Sequence, residues 1–262
     1  MTSDDRKQAY SPTMEHPSLS VQLYTLREAV QEDLGGTLAR LSRIGFEQVE
    51  PYGFPDLEGL GESLTSAGLV APTGHAHYLG EDDTELHRVF ASAKALNIGL
   101  AIDPYVVAER WVSEADIRET AEQLNAAAAV AAEYGVEVGY HNHAHELETQ
   151  IDGRTAFEFF ADLLNPEVRL EVDTYWVTVG GHDPIEILAR LGDRVAAIHV
   201  KDGPATKETK DQVAVGQGSL PVRDILAAAP QALRVIELDD SRGDRFAAVA
   251  DSYAWLVNEG LV

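Results

Sequence analysis

From Leu19 onward, short apolar and β-branched runs alternate with longer amphipathic stretches rich in alanine and leucine. Eight runs read as strands: LSVQLY, FEQVE, LVAPTGH, IGLAID, VEVGYH, VRLEVD, VAAIHV and LRVIEL. Between them lie helix-period segments such as DLGGTLARLSRI, DTELHRVFASAKAL and EADIRETAEQLNAAAAVAAEYG. Gly135 after the last of these suits a helix C-terminal cap. Regular alternation of strand and helix argues for a parallel sheet. Eight units of roughly 30 residues have the count and size of a closed (β/α)8 TIM barrel. No linker or change of composition interrupts them, so residues 18–262 are expected to form one α/β domain. Residues 1–17 lack the apolar middle of a signal peptide and are expected to be a flexible extension of a cytoplasmic protein.

Side chains alternate faces along a strand. In VRLEVD the apolar Val168, Leu170 and Val172 face the helices, which turns Arg169, Glu171 and Asp173 to the barrel axis. The same count turns His199 and Lys201 inward on the seventh strand and Glu237 inward on the eighth. On the fifth it turns Glu137, Gly139 and His141 inward. Gln22, Tyr24, Glu50, His75 and Asp103 are inward at the ends of the first four. Carboxylates and imidazoles thus gather at the C-terminal ends of the strands, where barrel enzymes place their active sites. A lone inward acid is usually salt-bridged. Five or more converging groups, each costing several kcal/mol to bury unpartnered, point instead to a bound cation.

Composition narrows that cation. The chain has no cysteine, so sulfur ligation, thiolate catalysis and disulfides are excluded. Oxygen and imidazole ligands suit Mn²⁺, Mg²⁺, Co²⁺, Fe²⁺ or Zn²⁺. The formal net charge of −24 opposes nucleic-acid and anionic-membrane partners. No apolar run approaches the roughly 20 residues of a membrane span. Asp173, His199 and Glu237 end three neighbouring strands and can share one ion. The fourth ligand should come from YHNHAHE, residues 140–146, where His141, His143 and Glu146 are all candidates.

The chain resembles the sugar phosphate isomerase/epimerase superfamily, whose barrels are similar to xylose isomerase and endonuclease IV. The resemblance rests on SVQLYTLR, LSRIGFEQVEPYG, YHNHAHEL, EVDTYW, IHVKDG, VGQGSLP and VIELD, in that order across residues 18–260. It implies one divalent ion, Mn²⁺ foremost, held by Glu146, Asp173, His199 and Glu237. It also implies a small carbohydrate substrate and relatives that are often dimers or tetramers. The endonuclease IV branch would need a histidine where this chain has Trp176, and its Asp-Arg-His is replaced by Lys210, Asp211 and Gln212. A three-zinc DNA-repair site is therefore not expected.

A divalent ion that binds a vicinal hydroxyl and carbonyl favours loss of the α-proton through an enediolate. The first expectation is therefore a metal-dependent isomerase or epimerase of a small sugar or keto-sugar; the resemblance to ketose epimerases implies two metal-bound glutamates on opposite faces of the sugar, Glu146 and Glu237. Imidazoles titrate near neutrality, and His143 beside the ion could protonate a leaving oxygen. That supports a lyase or dehydratase acting on a 3-keto-glycoside, keto-sugar or inosose. A non-catalytic sugar-binding or accessory subunit is the third reading. Lys201 is expected to be catalytic, binding a substrate oxygen or assisting at the carbonyl. Tyr24, Glu50, His75, His141 and Trp176 are expected to contact substrate. Arg27 is the one nearby cation that could meet a phosphate, so a non-phosphorylated substrate is favoured.

Overall fold

The computed structural model describes residues 19–262; the expected extension over residues 1–17 lies outside them. Seven strands form the main sheet: β1 (Leu19–Val21), β2 (Thr73–His75), β3 (Leu100–Asp103), β4 (Glu137–His141), β7 (Arg169–Asp173), β8 (Val195–Val200) and β9 (Leu233–Ile236). All pair in parallel, in the order β1-β9-β8-β7-β4-β3-β2. Two further short strands, β5 (Gln150–Ile151) and β6 (Arg154–Thr155), form a separate antiparallel hairpin.

The sheet edges β1 and β2 are joined by residues 46–52, which take in the expected second strand, 46–50, and the two residues after it. On one side Glu50 N donates to Val21 O and Leu23 N to Glu50 O, both at 2.8 Å. On the other, Val49 N donates to Val70 O at 3.0 Å and His75 N to Pro51 O at 2.8 Å. The barrel therefore closes with eight staves, but the second is held by isolated bridges rather than a continuous ladder. Pro51 explains the break, since it has no N–H to donate. Pro72 trims β2 in the same way; its carbonyl still accepts from Gly99 N and Leu100 N.

The outward faces are apolar, as alternation predicts. Val168, Leu170, Val172, Ile198, Val200 and Ile236 are buried in the layer between strands and helices. Helix entries are capped by the residue types the sequence supplies. Asp33, Asp82, Ser113 and Asp244 each accept a backbone N–H at the start of helices 34–44, 83–95, 114–132 and 245–258. Thr155 and Glu158 form a reciprocal capping box on helix 156–163. Such caps contribute about 0.5–2 kcal/mol each. The β5–β6 hairpin escapes a hydrophobic-pattern reading because each strand has only two residues. Its signal is Asp152-Gly153, with φ of 50° and 77°, the left-handed pair of a tight two-residue turn.

One buried carboxylate fixes the long connection after β8. Asp202 Oδ1 accepts from Gly203 N (2.8 Å) and Leu220 N (3.1 Å), and Oδ2 from Gly216 N (2.9 Å) and Gly218 N (3.0 Å). A Cβ at Gly218 would fall 2.1 Å from Asp202 Oδ1, so this approach requires glycine. Among the described residues no helix is long and apolar enough to cross a membrane.

Candidate functional site

Strand register brings the late-strand acids and imidazoles level. Asp173 on β7 pairs with His199 on β8, and His141 on β4 pairs with Glu171 on β7. One ligand atom from each of His141, Asp173, His199 and Glu237 lies within 4.8 Å of the others, and all four residues are buried. His199 Nδ1 is 2.6 Å from Glu237 Oε2, and His141 Nε2 is 3.9 Å from Asp173 Oδ2.

Beneath this quartet lies a layer that orients it. Glu171 Oε2 meets three imidazole nitrogens: His75 Nε2 at 2.6 Å, His199 Nε2 at 3.0 Å and His141 Nδ1 at 3.1 Å. Glu50 Oε1 lies 2.8 Å from His199 Nε2 and accepts from Gln22 Nε2 at 2.9 Å. These carboxylates draw N–H protons to His199 Nε2 and His141 Nδ1. The other ring nitrogens, His199 Nδ1 and His141 Nε2, are turned toward Asp173 and Glu237. Carboxylate-backed histidines of this kind are how proteins present a fixed imidazole lone pair to a metal.

Two ligand atoms support the fit independently. Asp173 Oδ2 and His199 Nδ1 are fully buried and make no hydrogen bond. Each nonetheless has a charged neighbour, Lys201 Nζ at 2.8 Å and Glu237 Oε2 at 2.6 Å. These contacts lack hydrogen-bond direction, so we read them as attraction and crowding around a shared point. Two carboxylates and two imidazoles are a donor set suited to a borderline divalent ion.

Lys201 places a fully buried ammonium in the site. Its ammonium lies 2.8 Å from an oxygen of each of Asp173, Glu237 and Asp239, and only the contact to Asp239 has hydrogen-bond geometry. Burial acts to lower its pKa, yet Asp173, Asp239 and Glu237 hold it well above the usual lysine value. Burial raises Asp173 to about 6, against the pull of Lys201 and His199. Burial lowers His143 to about 3, aided by the Lys201 charge, so its imidazole is neutral. His75 behaves oppositely: Glu50 and Glu171 overcome burial and raise it to about 10.

Glu146 is not brought to these atoms. Its Oε1 accepts from the Tyr140 hydroxyl at 2.7 Å and its Oε2 from His143 N at 2.9 Å, inside the turn that enters helix 145–148. His141, expected to touch substrate, takes the place in the cluster that the resemblance gave to Glu146. Burial raises the Glu146 carboxyl to about 8 from 4.5. The folded chain then holds a proton that the unfolded chain releases between these values, so stability falls as pH rises through that window. Glu146→Gln removes the titration. Its melting temperature relative to wild type is expected to rise from pH 6 to pH 8.5, read by calorimetry at both.

The other expected contacts divide. Tyr24, His75, His141, His143 and Glu237 line a cavity of about 370 Å³ at the barrel mouth, with Asp239 beside them. Glu50 does not reach it. It is fully buried and spent on Gln22, Thr73, His75 and His199, so it braces imidazoles rather than meeting substrate. Trp176 lies behind His143, ring centroids 6.1 Å apart, with the Lys201 ammonium 5.8 Å from its ring. Its buried Nε1 has no partner. Asp103 is also absorbed structurally, accepting from Tyr78 N, Leu79 N and Tyr105 N. The role of Glu171 was missed. Its signal was an inward acid two residues before Asp173 on the same strand.

Comparison with known proteins places these observations. The family model described as xylose isomerase-like TIM barrel matches residues 38–258. Over 92 residues the chain is 30% identical to inosose dehydratase of Geobacillus kaustophilus, a stretch covering 35% of this chain and 29% of that protein. The chain thus spans under a third of that relative's length in the match. A sugar phosphate isomerase/epimerase structure from Parabacteroides distasonis superposes with a TM-score of 0.77 at 20% identity, covering 95% of this chain and 96% of the other. The IolI protein with a bound zinc atom superposes with a TM-score of 0.72 at 17% identity, over 92% of this chain and 97% of that one. At these identities the structures speak to the fold.

Proposed function

The chain belongs to the xylose isomerase-like TIM barrel family, and on that premise we propose that it is a divalent-metal-dependent isomerase or epimerase of a small keto-sugar. The observation that carries the reading is the pair of carboxylate-backed imidazoles, His141 and His199, aimed at the same point as Asp173 and Glu237. A divalent ion held by these four would supply Lewis acidity toward a carbonyl and its neighbouring hydroxyl.

The remaining steps fall to the chain's own groups. His143 is neutral and lines the cavity, so it can hydrogen-bond a substrate oxygen, and the proton lost from the carbon beside the carbonyl passes to the Glu237 carboxylate, which lines the same cavity. Lys201 stays protonated and balances the carboxylate charge of Asp173 and Glu237 beside the place where the substrate oxygen becomes negative. His75, cationic between Glu50 and Glu171 and exposed to the cavity, offers a donor to a substrate oxygen. Return of the proton to the same or the neighbouring carbon gives epimerisation or isomerisation.

Elimination is the second reading, favoured by the segment shared with inosose dehydratase. It uses the same proton abstraction and ends with departure of the oxygen β to the carbonyl. Incubating the Mn²⁺-loaded chain with a panel of keto-sugars in D₂O separates the two. Deuterium uptake without other mass change is the expected result, and loss of water or of an aglycone would replace it with elimination. Failure to bind one Mn²⁺ per chain, measured by calorimetric titration, would overturn both.

A further inference from the structure

Asp239 lines the cavity beside Glu237, yet the chemistry above gives it no part. It is held at four points. Its backbone N donates to Gln212 Oε1 at 2.7 Å, and its backbone O accepts from Arg27 Nη1 at 2.9 Å. Its Oδ2 accepts from Gln212 Nε2 at 2.7 Å and from Lys201 Nζ at 2.8 Å. Among the described residues its Oδ1 makes no hydrogen bond, and the side chain is 19% exposed. One carboxylate oxygen is thus fixed by buried donors, and the other is left at the cavity surface.

Gln212 sets that orientation. It stands where the endonuclease IV pattern has a histidine, and it is fully buried in the connection after β8. Its amide accepts from the Asp239 backbone and donates to the Asp239 carboxylate, which only one orientation of the amide satisfies. Its backbone O accepts from Ser241 Oγ at 2.9 Å, so it ties this connection to the turn after β9. The connection itself is pinned by Asp202. Lys201 offsets the charge on Oδ2, so Oδ1 offers a fixed hydrogen-bond acceptor more than a bare negative charge. Of the groups on a small keto-sugar, the hydroxyl is the donor that fits; the carbonyl has no proton to give.

Resting on the proposed function, we infer that Asp239 determines specificity: its Oδ1 accepts a hydrogen bond from the substrate hydroxyl next to the reacting carbonyl and hydroxyl, and Gln212 is the positioning residue that aims it. Glu237, two residues earlier, faces the reacting pair, which places Asp239 at the neighbouring position. For a 2-ketose reacting at C2 and C3, the neighbours are the hydroxyls on C1 and C4. A site built around a buried acceptor rejects an analogue that lacks the hydroxyl, because the acceptor has then lost water and gained nothing.

Calorimetric titration in Mn²⁺ with D-fructose, D-tagatose, their 1-deoxy forms, the 4-deoxy form the two share, and 1-amino-1-deoxy-D-fructose tests the inference. Wild type is expected to bind one of the ketoses, and one of its deoxy forms at least about tenfold more weakly. Asp239→Asn is expected to bring that ratio below about threefold, since Lys201 claims the amide oxygen and the cavity receives a donor. Asp239→Ala and Gln212→Met should shrink it too, all three binding Mn²⁺ as wild type does. In D₂O, exchange by Asp239→Asn should show a raised KM with kcat within about threefold of wild type, the mark of a contact shared by ground and transition states. No binding of either ketose, deoxy forms bound as well as their parents, an undiminished ratio in Asp239→Asn, or tighter binding of the amino compound that Asp239→Asn abolishes would overturn the assignment. A hydroxyl preference lost with Asp239 in a chain that exchanges no deuterium keeps the assignment and removes the proposed reaction; exchange with an undiminished ratio does the reverse.

Discussion

Glu237→Gln is expected to fold, to bind Mn²⁺ at least 100-fold more weakly than wild type, and to lose α-deuterium exchange. Glu237 Oε2 lies 2.6 Å from His199 Nδ1 and 2.8 Å from the Lys201 ammonium, so it faces the point where the cluster converges. The amide keeps the size of the side chain but gives up the charge. Losing even a residue that only orients a ligand typically costs 10–100-fold in metal affinity, and a ligand should cost more. The fold should survive because Lys201 keeps Asp173 and Asp239 as partners. Titration calorimetry across a small series decides the ligand set. His141→Ala should behave like Glu237→Gln, whereas Glu146→Gln should stay within a few-fold of wild type. The opposite ranking would restore Glu146 to the coordination sphere.

Lys201→Met is expected to lower the melting temperature sharply in EDTA and to make the chain depend on divalent metal for its stability. Lys201 is 1% exposed, and its ammonium sits among three carboxylates. Removing one partner of a buried ion pair costs about 3–5 kcal/mol because the other charge is stranded. At about 2–4 °C per kcal/mol for a large domain, that is a drop of roughly 6–20 °C. Asp173, raised to about 6, can take up a proton and soften the loss toward the lower end. Mn²⁺ replaces the missing charge, so it should raise the melting temperature of the variant more than that of wild type. An unchanged transition in EDTA would show that the three contacts contribute little.

Much of this arrangement was legible because strands constrain direction. Once Val168, Leu170 and Val172 were assigned to the helix layer, Asp173 had to face the axis, and the same logic turned His199 and Glu237 inward. Register then needed only that neighbouring strands end level. The connections carried no such rule. Glu146 follows the fifth stave by five residues, and nothing in YHNHAHE says that the chain turns at Ala144 into helix 145–148 and folds that carboxylate back onto Tyr140 and His143 N. His141, the last residue of β4, had the correct parity and stood among the open candidates; the resemblance favoured its neighbour. Glu50 and Glu171 were placed on the inner face, but alternation cannot tell an acid that meets a ligand from one that props up an imidazole. That distinction depends on depth along the axis and on which rings lie within 3 Å. The broken second stave was readable in principle from Pro51, whose missing N–H interrupts any ladder through it.

That break divides the molecule mechanically. Residues 46–52 are the seam of the barrel, stitched by a few hydrogen bonds where other neighbours share continuous ladders. Local opening fluctuations follow the least cooperative part of a structure, so amide exchange should be fastest along this seam and slowest across β4, β7 and β8. The seam runs directly into Tyr52, against whose ring Tyr24 packs edge-on, and it carries Glu50, the carboxylate behind His75 and His199. Loosening there slackens the Tyr24 side of the mouth and the brace behind His199 together, so a few hydrogen bonds tie the rim to the convergent cluster.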